Sequence, residues 1–135
     1  TASNNPRAHR RLLDEIGDTR LTICLDPVNM MHLAVYYRNA ELIEECFELL
    51  GNDIIAAHAK DTWVLPDRMS AYITECAPGK GILDYVTYLR GLSTLATPCP
   101  LIIEHIPDEE FAGAKRYIEE KAAEAGVSLY EPEAG

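Results

Sequence analysis

Leu21-Thr22-Ile23-Cys24-Leu25-Asp26 is a short apolar run with no polar alternation, closed by a carboxylate. Such a run reads as a strand buried on both faces, the habit of parallel sheets. The pattern occurs twice more. Ile54-Ile55-Ala56-Ala57 is followed by His58, and Leu101-Ile102-Ile103 by Glu104. Helical patterns separate the runs. Leu42, Ile43, Cys46, Phe47, Leu49 and Leu50 recur at helical spacing over 39–50, and Gly51 is expected to stop that helix. Asp84 is placed to cap a helix carrying Tyr85, Val86, Leu89 and Leu92. Asp108 is expected to cap a last helix with Phe111, Ile118 and Ala122 inward and Gly126 at its end.

Upstream, Asn5 and Pro6 read as the N-cap and first residue of an opening helix, with Leu12, Leu13 and Ile16 inward and Gly17 at its end. The stretch from Asp61 to Gly81, with Pro66, Pro78, Gly79 and Gly81, reads as a long loop, and long ordered loops usually serve function. The tail after Tyr130 is expected to fray. The order is one helix and then three strand–helix units. That implies an α/β fold with a parallel sheet and right-handed crossovers.

The chemistry lies where the strands end. Asp26, His58 and Glu104 each follow a strand immediately, and in parallel α/β folds sites assemble at the C-terminal strand ends. Neighbouring strands lie about 4.8 Å apart, so three such residues can converge on one ion. Two carboxylates and an imidazole suit Mn²⁺, Mg²⁺ or Zn²⁺ better than a thiolate-seeking metal. Each residue alone also has a plain structural reading: Asp26 before Pro27 as a turn former, His58 as a hydrogen-bonded strand end, Glu104 as a solvated carboxylate. Three equivalent positions favour a joint function over three coincidences.

Composition narrows the classes. The chain has 135 residues, enough for one domain, with 47% apolar and 25% charged residues and a net charge of −10. That charge argues against nucleic acid, whose phosphates need clustered Lys and Arg. Arg7, Arg10 and Arg11 share one helix and read as a solvated face. No apolar run approaches the roughly 20 residues of a membrane span. Cys24, Cys46, Cys76 and Cys99 form no C-x-x-C pair, which suits a reducing cytoplasm, and Cys24 and Cys46 read as core residues.

Four segments occur in order: Cys24-Leu25-Asp26-Pro27-Val28-Asn29, His58-Ala59-Lys60-Asp61, Pro78-Gly79-Lys80-Gly81-Ile82-Leu83-Asp84-Tyr85 and Ile102-Ile103-Glu104-His105. Together they resemble the last three strands of the xylose isomerase-like TIM-barrel superfamily of sugar and sugar-phosphate isomerases and epimerases. The resemblance runs from about Pro6 to Val127. It implies a partial (β/α) TIM barrel. Residues 1–135 would then be one domain, the C-terminal portion of a (β/α)8 barrel without its N-terminal half.

The resemblance also implies roles. Asp26, His58 and Glu104 would hold one divalent metal, Mn, Mg, Co or Zn. Glu104 would move a proton beside the sugar carbonyl through an enediolate, and Asn29, Lys60 and Asp61 would face substrate or support the site. Pro78 to Gly81 would be a tight turn, structural or touching substrate, and Trp63 would pack on a sugar face or anchor its loop.

The family's second acid/base Glu belongs on a strand before Asp26, where this chain has only a helix, so the chain reads as incomplete by itself. Unpaired sheet edges would then favour a homo-oligomer. The Arg of the ketose 3-epimerase branch is absent after His58, where Lys60, Asp61, Thr62, Trp63 and Val64 stand, so isomerase, epimerase and polyol dehydratase stay open. A non-catalytic metal-binding or interaction half-barrel is the alternative of another class. An apurinic endonuclease would need more metal ligands than four His residues favour, and a basic surface.

Overall fold

A computed structural model describes residues 5–67 and 69–130. The opening helix α1 spans Pro6–Ile16. The Asn5 side chain accepts the Ala8 N–H, and Gly17 closes the helix at φ 64°, a left-handed conformation that glycine adopts without strain. Leu13 is buried. Leu12 and Ile16, expected inward, are exposed, because α1 packs mainly on α2 (Asn39–Leu50) and turns these two residues away from it. An ion pair of Arg7 with Glu45 ties α1 to α2, and one of Arg10 with Asp53 ties it to the turn that follows, both at 2.6 Å. Gly51 does not terminate α2 in a left-handed turn. It continues into a 3₁₀ turn, Gly51–Asp53, that feeds the next strand.

Three parallel strands form the main sheet in the order β1, β2, β5: β1 is Ile23–Leu25, β2 is Ile54–Ala59 and β5 is Leu101–Ile103. Cys24 pairs with Ala56, Leu25 with Ala57, His58 with Ile102 and Ala59 with Ile103. Ile55 is an extra residue on β2 between two paired positions, a bulge that re-aims the rest of the strand. Leu25, Ala57 and Ala59 face the helices and are fully buried, against Ile43, Cys46, Leu50, Tyr85, Tyr88, Leu89 and Ile118. The opposite face carries Cys24, His58 and Ile102 and is open.

The strands are thus buried on one face, not on both as expected. Helices α2, α3 (Tyr85–Ser93) and α4 (Asp108–Ala125) cover the outer side only, and three strands do not close on themselves. This is the wall of a partial (β/α) barrel. In a closed barrel such an inner face is covered by further strands. The same geometry corrects Cys24, which lies exposed on the inner face, whereas Cys46 is buried as expected.

Two buried tyrosines hold the strand ends in place. The Tyr85 hydroxyl donates to the Lys60 carbonyl at 2.7 Å. The Tyr88 hydroxyl reaches the carbonyls of Leu25 at 3.2 Å and His58 at 3.0 Å. One turn of α3 therefore ties the exits of β1 and β2 together from the core side.

The expected long loop contains a hairpin. Strands β3 (Asp61–Val64) and β4 (Ile73–Cys76) pair antiparallel, Thr62 with Glu75 and Trp63 with Thr74. The β-branched Thr62, Val64, Ile73 and Thr74 suit that pleat, although the prolines at 66 and 78 punctuate the segment like a loop. In α4 the N-cap is Pro107 with no side-chain bond. Asp108, Glu109 and Glu110 instead line the first turn, where the helix dipole favours negative charge. Ile118 and Ala122 pack inward as expected, whereas Phe111, expected inward one turn from the helix start, is exposed. Residues 131–135, expected to fray, lie outside the described residues.

Candidate metal centre

Asp26, His58 and Glu104 leave neighbouring strands on the inner face, and one ligand atom from each lies within 4.8 Å of the others. His58 Nδ1 is 3.4 Å from Asp26 Oδ2 and 3.0 Å from Glu104 Oε1. Its Nε2 faces Cys24 Sγ at 3.4 Å. Asp26 is buried and also caps the 3₁₀ turn Pro27–Met30 by accepting the Asn29 N–H at 3.3 Å. One oxygen thus orients the turn while the other faces the group.

Lys60 stands two residues beyond His58 on the same side of the chain, with its side chain only 4% exposed. Its ammonium is 3.0 Å from Asp26 Oδ2, 2.8 Å from Glu104 Oε1 and 3.3 Å from Glu75 Oε2. Burial disfavours the Lys60 charge, but the hydrogen bonds to Glu104 and Asp26 outweigh it, and the ammonium is held above its usual range. The Lys60 hydrogen bond in turn holds the Glu104 carboxyl below the ordinary carboxylate range, against the effect of burial and with help from Lys60's charge and both neighbouring imidazoles. Glu75 also meets His105 Nδ1 at 3.2 Å. His105 is the only non-glycine at positive φ among the described residues, at 58°, an uncommon conformation in which histidine is among the enriched residues.

The remaining expected residues sit elsewhere. Asn29 is exposed on the turn that Asp26 caps, at the edge of the group. Asp61 is not brought to the group. It is fully buried, and its two oxygens accept the N–H groups of Thr62, Gly79, Gly81 and Leu83 at 2.8–3.0 Å. Burial pushes its carboxyl upward, and these four bonds pull against that. Asp61 therefore holds the Pro78–Gly81 turn, whose amides point at it and not at the open face. Trp63 is exposed on β3, paired with Thr74.

Three carboxylates facing one ammonium leave negative charge in excess. A donor set of two carboxylate oxygens and one imidazole nitrogen fits a divalent cation. The xylose isomerase-like TIM barrel family model matches residues 2–131. The chain belongs to that family. The family takes in sugar isomerases and epimerases together with apurinic-endonuclease-like members. The fold is similar to the crystal structure of a xylose isomerase domain protein from Planctomyces limnophilus, with a TM-score of 0.69 and 21% identity. The match covers 93% of this chain but 46% of that one, so the chain spans about half the length of this relative. No curated protein matches the chain significantly.

Within this family's partial barrel, Glu75, His105 and Cys24 join the group without having been assigned to it from sequence. Glu75 lay in a segment read as loop, and only the pairing of Thr62 with Glu75 brings it to Lys60. His105 follows Glu104 directly, so its position was legible, but its backbone conformation was not. Cys24 is two residues before Asp26, and strand alternation alone would have put both on one face.

Proposed function

We propose that this chain forms part of a metal-dependent sugar or sugar-phosphate isomerase or epimerase, with Asp26, His58 and Glu104 as ligands of one divalent ion. The observation that carries this is the convergence of three strand-end ligand atoms within 4.8 Å on the open face of a family barrel wall. The ion, when bound, supplies Lewis-acid polarisation of substrate oxygens. Glu104 moves the proton beside the carbonyl, giving an enediolate. Its contact with the Lys60 ammonium at 2.8 Å holds it as a carboxylate, the form that can accept a proton. Lys60 carries positive charge beside the group, within reach of Glu104 and Glu75, where it can steady oxygen anions of the substrate. Asn29, exposed at the edge of the group, faces a polar substrate. The net charge of −10 supports a small-molecule substrate over nucleic acid. Among the described residues no helix is long and apolar enough to cross a membrane.

The test is solvent exchange. With Mn²⁺ and a panel of aldoses, ketoses and their phosphates in D₂O, deuterium is expected at the carbon beside the carbonyl. Glu104→Gln should slow this by about 10²–10⁴-fold. Exchange that persists in Glu104→Gln removes Glu104 from the proton-transfer role. Manganese binding without any exchange would favour the second reading, a metal-binding half-barrel that needs further strands to act. That reading is favoured by a sheet of three strands that does not close.

Ile55 and Ile102 are exposed, and the outer edges of β1 and β5 are unpaired among the described residues. These features support association with a second copy. Light scattering at micromolar concentration should report a mass above that of one chain, and a monomeric mass would sink this expectation.

A further inference from the structure

We propose that the Lys60 ammonium is the placeholder of this centre: it holds the Asp26 and Glu104 carboxylates together until a divalent cation arrives, and the cation then drives it onto Glu75. The inference rests on the metal-centre reading above and adds a moving part to it.

The ammonium and the ion would compete for the same atoms. Lys60 Nζ contacts Asp26 Oδ2 and Glu104 Oε1, the two oxygens that also lie nearest His58 Nδ1. In the absence of any cation those carboxylates would repel one another, and burying like charges side by side is costly. Lys60 removes that cost from within the chain. Its side chain is almost fully buried among acids, and among the described residues no other cationic side chain pairs with Asp26 or Glu104 apart from the imidazoles.

A divalent ion on the same oxygens reverses the balance. Like charges sharing two oxygens in a partly buried site repel strongly. A lysine can respond, because its charge is a compact point on a flexible four-carbon stem with three rotatable donors. It also has somewhere to go. Glu75 Oε2 is already 3.3 Å from Nζ, and the Glu75 side chain is 42% exposed on the hairpin, against 4% for Lys60. Pivoting toward Glu75 keeps the ammonium paired while carrying it outward. The other Glu75 oxygen is held by His105 Nδ1 at 3.2 Å, and His105 reaches that position through its left-handed backbone. Glu75 and His105 thus form a second seat at the rim. Lys60 is a positioning residue: ion loading would move its charge from the carboxylates to the exposed hairpin side of the group.

Two measurements on the whole chain test this. Manganese is titrated calorimetrically into wild type, Lys60→Met and Lys60→Gln. Separately, acetylation of Lys60 by acetic anhydride is followed by mass spectrometry in wild type with and without Mn²⁺. Removing a competing charge should tighten Mn²⁺ binding by about tenfold or more, whereas removing a merely structural lysine would weaken it. Lys60 acetylation should rise several-fold once Mn²⁺ is bound. Equal or weaker binding in both variants overturns the proposal and leaves the metal centre standing, as does unchanged acetylation in Mn²⁺-loaded wild type. Failure of wild type and variants alike to bind Mn²⁺ overturns both. If the variants do not fold, the labelling of wild type decides alone.

Discussion

Asp61→Ala is expected to destabilise the chain by about 2–5 kcal/mol, because it strips the partners from a set of buried N–H groups. The Thr62 and Leu83 bonds to Asp61 are buried, and those of Gly79 and Gly81 are partly so. Water can replace the carboxylate at the last two but has little access to the first two. The turn that these bonds hold is also packed too closely to shift. Gly81 lies against the Thr62 backbone and the Asp61 carboxylate with no room for a Cβ, so Gly81→Ala should lose stability by the same route. Urea unfolding followed by circular dichroism measures both. An Asp61→Ala midpoint equal to wild type would mean that the turn is held by something else. Asp61→Asn keeps one acceptor oxygen but sets an NH₂ group against the remaining N–H groups, so it should fall between the two.

Loss of His58 is expected to remove divalent-cation binding, with affinity falling by more than about 100-fold, beyond the range seen when supporting residues are lost. His58 Nδ1 lies between Asp26 Oδ2 and Glu104 Oε1, and it is the one nitrogen donor of the three. Calorimetric titration of Mn²⁺ into wild type, His58→Ala and Glu104→Ala would show tight single-site binding in the first and its loss in both variants. Equal binding in all three would disperse the proposed ligand set. The tyrosine clamp bears on this result. Tyr88 bonds the carbonyl of His58 itself, so the backbone at position 58 should keep its place when the ring is removed. A loss of affinity then reports the missing ligand and not a displaced strand.

The strands and helices were legible because each is a local statement. Asn39–Leu50 and Leu101–Ile103 fall where apolar spacing and length put them. Asn5, Gly17, Asp84 and Gly126 each act as helix ends in the way their chemistry dictates. The hairpin was not legible, since four-residue strands bounded by prolines carry too little period to separate from loop. Nor was the exposure of Cys24, Ile55 and Ile102. An apolar strand residue looks the same whether it faces a helix layer or the inside of an unclosed barrel wall.

The chain's own order of residues determined the alternation of strand and helix, and with it the parallel sheet that places Asp26, His58 and Glu104 at strand ends. Backbone propensity, helix caps and side-chain period act within a few residues, so they can be read along the chain. Only the tertiary structure decided which oxygens meet the Lys60 ammonium, that Asp61 turns inward to hold a loop, and that Glu75 reaches the group across a hairpin. Those outcomes depend on which charges are desolvated together and which amides lack other partners. Both are properties of residues brought close in space from distant parts of the chain, as Glu75 is to Lys60 and Glu104 to Asp26.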